Sequence, residues 1–215
     1  MTDKNRLQLN APMIVDFEEH GKLDSDKVLL ILHGYGQNID IIKEQLGENI
    51  YNHPDYHIII ANGCFPIPKV RSDHVLYRFA WYFYDRFESR YFIDFTTPKN
   101  ILNSLITELA PKKDLTIIGY SQGGYLAPFV GEMILKTKKV IGVNCKFRQD
   151  LLGESLDYDL YHLHGENDKL VEYEPALESF NILKKRVKGS CKHLSIKNTN
   201  HDISNEIIEE ILTLL

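Results

Sequence analysis

The stretch LTIIGYSQGGYLAPF, residues 115–129, gathers residues that could do chemistry. An apolar run, Leu115 to Ile118, ends at Ser121, which sits between Gly119 and Gly123, and a helical pattern follows at once. A G-x-S-x-G at a strand-to-helix junction is the pattern of a nucleophile elbow, in which a strained turn projects the hydroxyl above the edge of a sheet. Side chains two positions before and after the serine would collide there, so glycine suits both places. The next helix begins at the serine, and its free N–H groups and dipole favour developing negative charge. Composition alone produces such a motif by chance on the order of a few per cent of the time. The plainer alternative is a glycine turn with a helix-capping serine, which demands nothing elsewhere. A nucleophile demands a base, and the base an orienting acid.

With an elbow serine on a parallel sheet, the acid follows on a later strand and the histidine follows the last one. Asp168, in YHLHGENDKLVEYEP, stands just past an apolar strand and before a helix, whereas Asp157 and Asp159 precede that strand at the wrong end; Glu166 is the nearest rival. His201, in IKNTNHDISNE, falls between the last strand and the last helix. Of the other histidines, His193 lies within a strand, His162 and His164 precede the acid, and the rest precede the serine. An oxyanion formed on attack needs two backbone donors. The N–H of Gln122, next after the serine, is one; LHGYGQN supplies the other at Tyr35, where Gly34 and Gly36 let the backbone turn its amides inward.

These residues need a frame. KVLLILHG (27–34), HIIIANG (57–63), LTIIGYS (115–121), VIGVNCK (140–146), LYHLHG (160–165) and HLSIKN (193–198) read as strands too apolar to be half exposed, so they suit a parallel sheet covered on both faces. Helical patterns fall near 39–50, 98–110, 123–136, 173–188 and 204–214, the last opening with a Ser204 cap. PMIVDFEEHGK adds an antiparallel hairpin strand at the start, and Pro128 falls inside the helix after the serine. The segment from Gly63 to Phe95 is long, helix-poor and aromatic: RFAWYFYDRFESRYFIDF alone holds one Trp, three Tyr and five Phe. Such a loop belongs over the C-terminal strand ends, where open sheets bind ligands. The expectation is one doubly wound α/β domain over residues 1–215, a mostly parallel sheet with helices on both faces and no large cap domain.

Composition removes several function classes. A net charge of −5 argues against a nucleic-acid partner, and the basic clusters KTKK (136–139) and KKRVK (184–188) are expected at helix C-termini, where cations suit the dipole. The three cysteines are widely spaced, with neither a CxxC nor metal-ligand spacing, so free thiols in a reducing, cytoplasmic compartment are expected and no metal site. No run approaches the ~18 apolar residues of a membrane span, and MTDKNRLQLNAPM has no apolar core of a signal peptide.

The set LHGYGQN, AWY, GYSQGG, HGENDKLV and NHD, in this order from Leu32 to His201, resembles the phospholipase/carboxylesterase family of serine hydrolases within the α/β-hydrolase superfamily. The resemblance implies an α/β-hydrolase fold, the triad Ser121, Asp168 and His201, an oxyanion hole of the Tyr35 and Gln122 amides, and Trp81 and Tyr82 beside the substrate. Phe83 stands where relatives carry an acid, and VNCKFRQDLL (143–152) replaces a Ser-Gly-rich loop. Lys146 and Arg148 there point to short or polar acyl groups. The implied activity is hydrolysis of a small-molecule ester or thioester without cofactor, by a carboxylesterase of short-to-medium acyl preference. Acyl-protein thioesterase or lysophospholipase activity on long chains is the alternative. A non-catalytic ligand-binding relative would lack a triad member, and a serine peptidase of this superfamily would add a domain to select peptides. No stable membrane insertion is expected, and a homodimer stays open beside a monomer.

Overall fold

The computed structural model describes residues 12–215, so most of the N-terminal stretch lies outside the described residues. Seven strands form the central sheet: β1 (Phe17–Gly21), β2 (Lys27–Leu32), β3 (His57–Ala61), β4 (Asp114–Tyr120), β5 (Thr137–Val143), β6 (Asp159–Gly165) and β7 (Cys191–Ile196). Their spatial order is β1-β3-β2-β4-β5-β6-β7. Only β1 runs antiparallel, with Phe17 opposite Ala61 of β3. It is therefore an edge strand and not half of a hairpin: β3 and β4 already occupy both edges of β2, its neighbour in sequence.

The strand readings hold because the runs are buried from both sides. Along β2, Val28, Leu30 and Leu32 join one core cluster, with residues of α3 (Thr96–Leu109), α4 (Gln122–Met133) and α5 (Tyr173–Leu183). Leu29 and Ile31 join the other, with α1 (Ile39–Leu46), α2 (Glu48–Tyr51) and α6 (Asn205–Leu214). Alternate side chains of one strand thus feed two cores, as strand geometry requires. Helix caps are where the sequence puts them: Asn38 accepts from the Ile41 N–H at 3.0 Å, and Ser204 caps α6 through the Ile207 N–H. The expected helix 39–50 divides at Gly47, whose φ of 76° is open to glycine, and the helix 173–188 tightens into a 3-10 turn at Lys184–Arg186.

One basic cluster is corrected. KTKK does not close a helix: α4 ends at Met133, and Lys138 and Lys139 belong to β5, where β-structure begins at Thr137. Between β3 and α3 the aromatic segment forms short antiparallel pairs, the largest joining Phe83–Asp85 to Arg90–Ile93. It bridges to the loop after β2, where the Gly36 N–H donates to the Phe79 carbonyl at 2.9 Å.

Candidate active site

The β4–α4 junction is a strained elbow. Ser121 has φ 50° and ψ −116°, a region costly for a residue with a side chain. A Cβ on Gly119 would lie 2.3 Å from the Gly123 carbonyl oxygen, and one on Gly123 would lie 2.3 Å from the Leu32 oxygen at the end of β2. Neither contact is possible for a real side chain, so the two glycines are what lets the turn close. The elbow is pinned by the Ser121 N–H, which donates to the Val143 carbonyl of β5 at 2.9 Å.

Three side chains distant in sequence meet above it. The Ser121 Oγ lies 2.9 Å from His201 Nε2, and His201 Nδ1 lies 2.7 Å from Asp168 Oδ2. The carboxylate is buried, and its other oxygen accepts the N–H groups of Leu170 and Val171, each at 2.9 Å. Asp168 therefore accepts a hydrogen bond from the Nδ1–H and leaves the Nε2 lone pair facing the hydroxyl. Glu166, the sequence rival, is exposed.

Residues that the sequence reading passed over hold the loops in place. The Tyr120 hydroxyl donates to the His201 carbonyl at 2.5 Å, and burial pushes its pKa up to about 12, so it stays a donor. Asn144, at φ 45°, donates to the Asp202 carbonyl at 2.8 Å and accepts from the Gly165 N–H at 2.9 Å. The elbow strand and its neighbour thus each clamp the histidine loop. Tyr120 adjoins the serine in GYSQGG and Asn144 ends the β5 run, but only the fold gives them these partners.

Behind Asp168 runs a chain of imidazoles. His164 Nε2 lies 2.8 Å from the Val171 carbonyl and 3.5 Å from Asp168 Oδ2; its Nδ1 lies 3.3 Å from His162 Nε2, which is 2.9 Å from the Cys145 carbonyl. His193 Nδ1 is 3.0 Å from His162 Nδ1, and its Nε2 is 3.2 Å from the Tyr173 hydroxyl. Burial lowers the pKa of all three, His193 to about 4. Carbonyls only accept, so His162 and His164 carry their protons on Nε2, and His193 donates from Nδ1. The closest acceptors of His162 and His164 are thus the Cys145 and Val171 carbonyls, and that of His193 is His162 Nδ1.

Residues 18–215 match the phospholipase/carboxylesterase family. The chain belongs to that family. Membership makes it a hydrolase, and the fold agrees with solved structures of this kind. Esterase PE8 superposes with a TM-score of 0.72 at 16% identity, over 93% of this chain and 97% of that one. Acyl-protein thioesterase 2 of Zea mays gives 0.68 at 15%, over 94% and 97%. A Bacillus cereus carboxylesterase gives 0.68 at 17%, over 95% and 94%. A search of curated proteins finds no match.

In this hydrolase three of the four amides from Gly34 to Gln37, in the loop after β2, have acceptors. Gly34 N–H donates to Gln37 Oε1 at 2.8 Å, Gly36 to Phe79 and Gln37 to Gly34, while the Tyr35 amide has no acceptor among the described residues. The Gln122 amide at the start of α4 is likewise uncommitted. Gly36 has φ 70°, which supplies the turn expected of it. The Gln122 side chain braces the aromatic segment, accepting from the Trp81 N–H at 2.9 Å and donating to the Tyr82 carbonyl at 2.8 Å.

Trp81 is a correction. Expected at the pocket wall, it is only 1% exposed and lines no part of the neighbouring cavity. Its indole N–H donates to the His33 carbonyl and its ring lies 5.0 Å from the His33 imidazole, which draws it beneath the loop. Tyr82 does line that cavity, about 430 Å³ in volume, together with Tyr84, Tyr91, Tyr125, Lys146 and Arg148. None of the three thiols is a rival nucleophile: all are unbridged, and burial raises each pKa, Cys64 to about 12 and Cys191 to about 11.

Proposed function

We propose that the protein hydrolyses carboxylic esters or thioesters through an acyl-enzyme on Ser121. The observation that carries this reading is the unbroken run from Ser121 Oγ to His201 Nε2 and from His201 Nδ1 to Asp168 Oδ2, at 2.9 and 2.7 Å. As the Ser121 oxygen attacks the acyl carbon, its proton passes to His201 Nε2, and Asp168 stabilises the resulting imidazolium. The carbonyl oxygen takes the negative charge and accepts from the Tyr35 and Gln122 amides. On collapse the bond to the leaving oxygen or sulfur breaks, and His201 returns the proton to that atom. Water, deprotonated by His201, then attacks the acyl-enzyme, and the serine leaves with the proton.

The side chains on the wall of the cavity beside the elbow, Lys146, Arg148 and Asp150 with four tyrosines, support a short-to-medium acyl preference. Tyr82, on that wall, belongs to the proposed substrate contacts. The reading takes the chain as one hydrolase domain acting on small-molecule esters in the cytoplasm, and the unbridged thiols suit that compartment. Among the described residues no helix is long and apolar enough to cross a membrane. The test is labelling with a fluorophosphonate followed by peptide mapping. Modification of Ser121, with loss of both labelling and esterase activity in Ser121→Ala, is expected; labelling at another residue overturns the assignment.

A further inference from the structure

The cavity next to the elbow is unusual in what it leaves unspent. It starts one helical turn from the serine, because Tyr125, whose N–H donates to the Ser121 carbonyl at 3.1 Å, is one of its walls. Tyr82, another wall, is tied through its carbonyl to Gln122. Two walls of this cavity are therefore tied to the elbow and to the first turn of α4.

Its charges do not cancel. Both oxygens of Asp150 are taken by Arg148, from Nε at 2.9 Å and from Nη2 at 2.6 Å. The guanidinium also donates to the Tyr91 hydroxyl and lies 5.1 Å from the Tyr91 ring and 6.0 Å from that of Tyr84. Arg148 and Asp150 thus form a closed, neutral piece of wall. Lys146 lines the same cavity and its ammonium makes no hydrogen bond or ion pair among the described residues, though it sits close enough to Asp150 to help Arg148 hold that carboxyl below its ordinary pKa. Gln149, also on the wall, has a buried amide oxygen without a hydrogen-bond partner. Burial raises the pKa of the Tyr82, Tyr91 and Tyr125 phenols, that of Tyr91 to about 12. With Arg148 and Asp150 offsetting each other, Lys146 leaves the cavity one net positive charge among tyrosine hydroxyls, in a chain whose net charge is −5. A long alkyl chain would desolvate that cation without compensation. A carboxylate at the far end of a short acyl group would pair with it.

We infer that the preferred acyl group is a short one ending in a carboxylate, so that the substrates are half-esters or half-thioesters of small dicarboxylic acids, with Lys146 as the specificity-determining residue. This rests on Ser121 being the nucleophile. The ester carbon sits at the elbow, and the distal carboxylate accepts from the Lys146 ammonium. A charge-assisted contact of this kind is worth about 10-fold or more in kcat/KM over a neutral group of the same length.

The test compares monoethyl succinate with ethyl butyrate, and monoethyl adipate with ethyl hexanoate, by acid release in a pH-stat. Wild type should favour at least one half-ester by about 10-fold in kcat/KM, mostly through KM, and added salt should erode that preference. Lys146→Met should reduce the ratio to about one, Lys146→Glu should invert it, and Lys146→Arg should keep most of it. Ser121 labelled by a fluorophosphonate but no half-ester preference in wild type would overturn the inference and spare the nucleophile. A preference that survives in Lys146→Glu would also overturn it. Absence of labelling and of all ester hydrolysis would instead bring down the reading beneath.

Discussion

The indole N–H of Trp81 donates to the carbonyl of His33 at 2.9 Å, at the start of the loop that carries Tyr35. His33 is held in turn, its Nε2 accepting from the Gly63 N–H at 2.9 Å and its Nδ1 donating to the Gly34 carbonyl at 2.7 Å. Trp81 therefore supports, from a buried position, the backbone of the loop that carries Tyr35.

That arrangement predicts an outcome for Trp81→Phe. The buried His33 carbonyl loses its partner, which costs about 1–3 kcal/mol and lowers the melting temperature. The loosened loop should reduce kcat by ~10-fold with little change in KM, since an oxyanion donor acts in the transition state. Steady-state kinetics with a short ester, beside thermal unfolding, measures both. A raised KM at unchanged stability would put the ring in the pocket after all.

The strain at Ser121 makes a second prediction. Ser121→Ala should lose activity on the order of 10⁴-fold or more, with stability near wild type. Ser121→Gly should be equally inactive yet as stable as wild type or more so. A residue with a side chain at this backbone conformation costs about 1–3 kcal/mol, against roughly 0.5–1 kcal/mol for the added freedom of glycine in the unfolded chain. Urea titrations of the three proteins decide it: a clear loss of stability in Ser121→Gly would mean that the elbow stores no strain.

How much of this was legible in the sequence depended on whether chemistry or packing set the signal. The elbow was legible because Gly119 and Gly123 answer to backbone atoms 2.3 Å away, a constraint that no other residue satisfies. Asp168 and His201 were legible because the order of strands restricts where an acid and a base can stand. Trp81 was misread because an aromatic near a site looks the same in sequence whether it faces substrate or a backbone carbonyl. Tyr120 and Asn144 act through partners 21 to 81 residues away, and His162 meets His193 31 residues on, which no local pattern encodes. The strand at Phe17–Gly21 showed its type but not its neighbour, because pairing depends on which edge the rest of the sheet leaves open.

The acid is tested by paired variants. Asp168→Asn should reduce kcat on the order of 10³–10⁴-fold, because the imidazole loses the acceptor that fixes its tautomer. Glu166→Gln should stay within about two-fold of wild type, as an exposed carboxylate away from the imidazole gives up no such contact. His164→Leu should fall between them, near 10-fold, with His164→Gln recovering part by restoring a donor. Reversal of the first two results would exchange the acid assignment.

Buried imidazoles set the last prediction, a loss of stability in acid. Burial lowers the pKa of His33, His162, His164 and His193, with His33 and His193 down to about 4. In the unfolded chain each returns to about 6.5. Below that value the unfolded state binds protons that the folded state refuses, so the folded state gains stability as pH rises through the window. The stabilisation is complete above pH ~6.5 and is lost progressively as pH falls toward 4. A fully buried imidazole contributes about 1.4 kcal/mol per pH unit there, and His193, only half buried, contributes less because solvent screens it. The urea midpoint should therefore fall steeply from pH 7 to 4.5, and His162→Asn should flatten the slope by about one proton, since it removes one such group. His193→Gln should flatten it by less. A midpoint unchanged across that range would mean that these imidazoles accept protons in the folded protein, and the neutral tautomers assigned to them would fall with it.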